Sequence, residues 1–119
     1  MIVDDEPDII YAIEKVLEIK KARYDIMSAK NGIEALKLLK NNEIPDLILL
    51  DIMMPEMNGW ILYDKIKNKE SWKNISIIFL TARKDKLAVD AGFLLGDDYI
   101  TKPFDNMELI NRIEIALKK

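Results

Sequence analysis

A chain of 119 residues, half of them apolar, is long enough to bury one core, and a single domain over 1–119 is the expected organisation. Its 18 basic and 21 acidic side chains leave a net charge of −3, which argues against a direct nucleic-acid footprint. The absence of cysteine excludes disulfides and thiolate metal sites, and the absence of histidine excludes imidazole catalysis and a histidine zinc site. The opening Met1-Ile2-Val3-Asp4-Asp5 has neither the basic region nor the apolar stretch of a signal peptide. Charges interrupt every apolar run, so a cytoplasmic protein without a membrane span is expected.

Short apolar runs alternate with amphipathic stretches, the pattern of an α/β domain with a parallel sheet. Ile2-Val3 is a very short first strand. Pro7 suits a first helical turn, and Ile9, Ile10, Ile13, Val16 and Leu17 share one face of a helix running to about Lys20. Tyr24 to Ala29 reads as the second strand. Asn31 with Glu34 resembles a capping box opening a helix that carries Ile33, Leu36 and Leu39.

Leu47-Ile48-Leu49-Leu50 is a continuous apolar run, as a central strand covered on both faces requires, and Asp51 ends it. A loop through Met54-Pro55-Glu56-Met57-Asn58-Gly59 leads to a third helix facing the core with Leu62, Ile66 and either Trp60 or Tyr63. Ile75 to Leu80 is the fourth strand, closed by Thr81. Leu87, Ala91, Leu94 and Leu95 mark a fourth helix ending at Gly96, and Tyr99-Ile100-Thr101 a brief fifth strand before Lys102-Pro103. Asp105 with Glu108 caps a fifth helix that buries Leu109, Ile110, Ile113, Ala116 and Leu117.

In open parallel sheets, ligands bind beyond the carboxyl ends of the strands, near the point where strand order reverses. The polar residues fall there: Asp4 and Asp5 after the first strand, Asp51 after the third, Thr81 after the fourth and Lys102 after the fifth. Each alone reads as a turn former, a helix cap or a surface residue. Together they form one shallow pocket of three carboxylates, a hydroxyl and an ammonium. Carboxylates at 4 Å repel by about 4 kcal/mol per pair at an effective dielectric near 20. A hard divalent cation offsets this, and Mg²⁺ suits a site that keeps room for water and phosphate oxygens. Lys102 opposite the metal can neutralise an incoming phosphoryl group, and a carboxylate nucleophile then forms an aspartyl-phosphate.

Four ordered segments resemble the response regulator receiver family, the CheY-like domains of two-component signalling. They are Val3-Asp4-Asp5-Glu6-Pro7, Leu49 to Pro55 with Gly59, Leu80-Thr81-Ala82, and Asp98 to Phe104. The resemblance implies a doubly wound, flavodoxin/CheY-like domain of five parallel strands in the order 2-1-3-4-5, flanked by five helices. It implies that Asp51 is the phospho-acceptor, and that Asp5, Asp51 and the backbone carbonyl of Met53 ligate Mg²⁺, with Asp4 supporting the metal through water. Thr81 and Lys102 would bind phosphoryl oxygens, Tyr99 would be the aromatic switch, and the Lys102–Pro103 bond would be cis. Two features depart from the family pattern: only three residues precede the acidic pair, so strand one is unusually short or truncated, and Gly96-Asp97-Asp98 is one residue shorter than usual.

The implied partners are a histidine kinase or phosphotransfer protein upstream, whose phosphohistidine this chain cannot itself supply. Downstream stands a protein target or a second copy, bound through the face of the fourth helix, fifth strand and fifth helix. The chain is expected to be a signalling receiver rather than a metabolic enzyme, catalysing only its own phosphoryl transfer and slow autodephosphorylation. That slowness is expected because Met53 and Arg83 flank the site without an acceptor to orient water. No output domain follows Lys119, so a stand-alone or excised receiver is expected. A haloacid-dehalogenase-type phosphatase would need a second Asp where Met53 stands, and a flavodoxin-like FMN module would be repelled by Asp4-Asp5-Glu6.

Overall fold

A computed structural model describes residues 1–19, 24–82 and 98–118. Nine elements follow in chain order: β1 (Ile2–Val3), α1 (Pro7–Ile19), β2 (Ser28–Ala29), α2 (Gly32–Lys40), β3 (Leu47–Asp51), α3 (Gly59–Lys67), β4 (Ser76–Ala82), β5 (Asp98–Lys102) and α4 (Asn106–Leu117). The helix expected over Leu87 to Gly96 lies outside the described residues, so α4 is the helix expected as the fifth. All strand pairs are parallel, in the order β2-β1-β3-β4-β5. The expected doubly wound topology is therefore the observed one.

Alternation along β3 and β4 divides the core between the two faces of the sheet. Ile48, Leu50, Ile77 and Phe79 pack with Leu39 of α2 and with Leu62 and Ile66 of α3. Leu47, Leu49, Ile78 and Leu80 pack with Ile13 and Leu17 of α1 and with Leu109 and Ile113 of α4. Because both faces are covered, β3 is buried from end to end. Its last residue, Asp51, is thereby carried into a largely dry environment.

Several elements differ from expectation. The second strand is two residues rather than six, because β1 offers only Ile2 and Val3 to pair with Ser28 and Ala29. Met27 still accepts a hydrogen bond from Ile2 N at 2.8 Å. Helix α2 buries Gly32, Ala35 and Leu39, while Leu36 is half-buried and Ile33 exposed. Small residues face inward there because α2 comes close to the loop after β3. A Cβ on Gly32 would sit 2.6 Å from Met57 Sδ.

Both Trp60 and Tyr63, not one of them, lie against Phe79, with ring centroids 4.6 and 5.3 Å from it. Strand β4 extends to include Thr81, and β5 takes in Asp98 and Lys102. Leu117, expected in the core, is exposed at the last position of α4. Caps form where predicted: Asn31 Oδ1 accepts from Glu34 N at 2.8 Å, and Asp105 Oδ2 from Glu108 N at 3.1 Å. Neither is a reciprocal box. Glu34 instead accepts from Lys30 N at 3.3 Å, and Glu108 pairs with Arg112 at 3.4 Å.

Candidate functional site

The site lies beyond the carboxyl ends of β1, β3, β4 and β5, where the sheet order reverses between β1 and β3. Asp4 leaves β1 fully buried, with its amide bonded to Ala29 O at 3.1 Å. Its Oδ1 accepts from Glu6 N at 2.9 Å, a short turn that aims the chain into α1. Its Oδ2 faces the Lys102 ammonium at 2.8 Å. Lys102 Nζ also lies 3.4 Å from Asp51 Oδ1 and 3.5 Å from Glu6 Oε1. One cation therefore touches three carboxylates contributed by the ends of β1 and β3.

Register places the remaining groups. Asp51 is level with Leu80, so Thr81 stands one residue further along β4, where it is buried; Ala82 is level with Lys102. The Lys102–Pro103 bond is cis, as the resemblance implied. After β3 the chain turns sharply. Ile52 O accepts from Met54 N at 3.2 Å and from Gly59 N at 2.8 Å, and Glu56 adopts φ 66° within a turn closed by Met57 N to Pro55 O at 2.8 Å. Met53 sits on this turn with its side chain 67 % exposed, outside the buried cluster.

Charge is unbalanced here. Burial, the charge of Asp4 and hydrogen bonding to Asp5 push the Asp51 carboxyl up to about 7, against the opposing pull of Lys102. Burial works against the Lys102 charge too, but Asp4, Asp51 and Glu6 outweigh it and hold the ammonium above its usual range. Carboxylate oxygens of Asp4, Asp5 and Glu6 lie within 4.8 Å of one another. Buried Asp4, the exposed carboxylates of Asp5 and Glu6 beside it, and an Asp51 carboxyl raised by burial and by the charge of Asp4 are what a hard divalent cation would relieve. The donor set therefore fits Mg²⁺.

Tyr99 stands apart from the acidic cluster. It is level with Phe79 and packs half-buried against the α2/α3 side of the core. Arg112 lies over its ring, 5.9 Å from the centroid, and is itself paired with Asp98 and Glu108. Arg83 lies outside the described residues. Two contacts are not signalled by the sequence. Glu6 was read only as part of an acidic opening, yet it reaches Lys102, and Arg112 was not connected with Tyr99 at all.

A family model described as the response regulator receiver domain matches residues 1–114. The chain belongs to this family. It is 42 % identical over its whole length to the transcriptional regulatory protein YvrH of Bacillus subtilis, of which it covers 48 %. Among solved structures, the signal receiver domain of a signal transduction histidine kinase from Syntrophus aciditrophicus is 33 % identical, with a TM-score of 0.86 over 98 % of this chain and 87 % of that one. A CheY-like receiver domain protein from Methanospirillum hungatei is also 33 % identical, with a TM-score of 0.78 over 100 % and 96 %. The receiver domain spans about half the length of the curated relatives it matches. Among its described residues, no helix is long and apolar enough to cross a membrane.

Proposed function

We propose that this receiver domain accepts a phosphoryl group on Asp51 from the phosphohistidine of a histidine kinase or phosphotransfer protein, in a Mg²⁺-dependent reaction. The observation that carries the reading is the Lys102 ammonium set 3.4 Å from a buried strand-end Asp51 and 2.8 Å from buried Asp4. Asp5, Asp51 and the Met53 carbonyl would hold Mg²⁺, with Asp4 behind them. When bound, the ion would neutralise charge on the phosphoryl oxygens. An Asp51 carboxylate oxygen attacks phosphorus, the bond from phosphorus to imidazole nitrogen breaks, and the imidazole keeps that electron pair. Lys102 and Thr81 then bind the phosphoryl oxygens. Incubation with acetyl phosphate and Mg²⁺ should add one phosphoryl group to the intact mass, and Asp51→Asn should abolish the gain. Undiminished labelling of that variant would overturn the assignment.

The output is a switched face formed by β5 and α4 together with the segment expected as the fourth helix. Phosphorylation draws Thr81 toward the new group, and Tyr99 turns into the space vacated, altering the surface beneath Arg112. Ile115 is 58 % exposed on α4 and supplies an apolar contact for a downstream protein or a second copy. Ile115→Glu should block phosphorylation-dependent association, read by light scattering and pull-down, while labelling of Asp51 proceeds at the wild-type level. Equal association in both proteins would remove this face from the mechanism. The relatives named as transcriptional regulators are about twice as long, and with its own net charge of −3 this chain would serve there as the signal-receiving part. We place the receiver in the cytoplasm, where such donors and targets meet.

A further inference from the structure

Resting on the proposed metal-dependent reading, we propose that Glu6 is a positioning residue for Lys102, holding its ammonium at the mouth of the pocket once a divalent cation occupies the aspartates. The same ammonium cannot keep its present place beside such an ion. It now lies 2.8 Å from Asp4 Oδ2 and 3.4 Å from Asp51 Oδ1, inside the carboxylate set that a metal would share. Like charges then drive it outward. Of the three carboxylates it touches, Asp4 and Asp51 are buried, whereas Glu6 is 62 % exposed at the edge of the cluster, already 3.5 Å away. Glu6 is also well anchored for the task. Its amide is held by Asp4 Oδ1 at 2.9 Å, and its carbonyl accepts from Ile9 N and Ile10 N at 3.1 and 3.3 Å, so the backbone behind the side chain is fixed.

Without Glu6 the lysine loses its anionic partner at the rim and competes harder with the ion for Asp4 and Asp51. Glu6→Gln should therefore weaken Mg²⁺ binding about threefold to tenfold by calorimetry, a coupling of the size expected between neighbouring groups. Glu6→Asp should restore part of it. Asp8→Asn, which removes another acidic charge from the start of α1, should change affinity much less. The mechanism runs through Lys102, so in a Lys102→Met background Glu6→Gln should change Mg²⁺ affinity little. Equal weakening in both backgrounds would show Glu6 acting as a ligand or a bare charge, and would overturn the proposal. A crystal structure of the Mg²⁺-loaded wild type gives a check that needs no variant to fold. It should place Lys102 Nζ within hydrogen-bonding distance of Glu6 with both Glu6 oxygens off the metal, and a Glu6 oxygen on the ion would refute the role. Failure of acetyl phosphate to label Asp51 would instead count against the proposed function, since these measurements read metal and lysine without any phosphoryl transfer.

Discussion

Asp51→Asn should melt at a higher temperature than the wild type at pH 8 in the absence of divalent ions, although it removes the proposed reactive group. In the folded protein the Asp51 carboxyl is raised from 3.8 to about 7, by burial first and by Asp4 second. The folded state therefore holds this proton more tightly than the unfolded chain does. Its contribution to stability is fully present below about pH 4 and is lost as pH rises through about 7. Solvent screening at the mouth of the pocket discounts a shift of that size to roughly 3 kcal/mol. Asparagine gives up the Lys102 contact but carries no charge, so a net gain of about 2 kcal/mol, or roughly 5–10 °C in melting temperature, is expected at pH 8. The difference between variant and wild type should shrink on acidification and vanish near pH 4. Millimolar Mg²⁺ should also close it, because binding to the folded state stabilises the wild type by mass action and the variant much less. Melting curves whose difference is independent of both pH and Mg²⁺ would show that Asp51 is not under electrostatic load.

The strand-end residues were legible because their setting is periodic. A continuous apolar run of four residues just after Pro45 suits a buried parallel strand, so the first polar residue after Leu47-Ile48-Leu49-Leu50 was expected at the sheet edge, and Asp51 lies there. The same reasoning located Thr81 after the run Ile75 to Leu80, whereas Lys102 follows only the brief Tyr99-Ile100-Thr101 and was marked chiefly by the resemblance. What the sequence hid were contacts between elements. Large apolar residues normally mark a helix's inner face, but α2 turns Gly32 and Ala35 inward because Met57 already occupies the space, and Ile33 is left outside. Tyr24 to Ile26 have strand composition, yet no residue of β1 pairs with them, and composition cannot count partners. Glu6 is an exposed charge in an acidic run, which on local evidence favours a helix N-terminus. Its approach to Lys102 spans 96 positions, and nothing in either neighbourhood announces it.

Gly59→Val should be the most damaging single change outside the acidic cluster, because the residue closes the turn that carries Asp51. Its amide donates to Ile52 O at 2.8 Å, joining the start of α3 directly to the end of β3. A Cβ at this position would lie 2.5 Å from the Asp51 carbonyl oxygen and 2.8 Å from Ile52 Cα. Those are backbone atoms of a strand buried on both faces, so no side-chain rotation relieves the overlap. Either α3 lifts, exposing Leu62 and Ile66, or the end of β3 moves and takes Asp51 with it. Overpacking against fixed backbone should cost about 3 kcal/mol or more and lower the melting temperature by about 10 °C or more. Gly32→Ala is the matched control. Its new Cβ would also be too close, at 2.6 Å, but to Met57 Sδ, the end of a flexible side chain that can swing away. That variant should lose about 1 kcal/mol or less and keep near-normal labelling by acetyl phosphate, whereas any Gly59→Val that remains folded should label poorly because its acceptor is displaced from Lys102. Comparable losses in the two variants would mean that the turn after β3 is not held by this backbone contact.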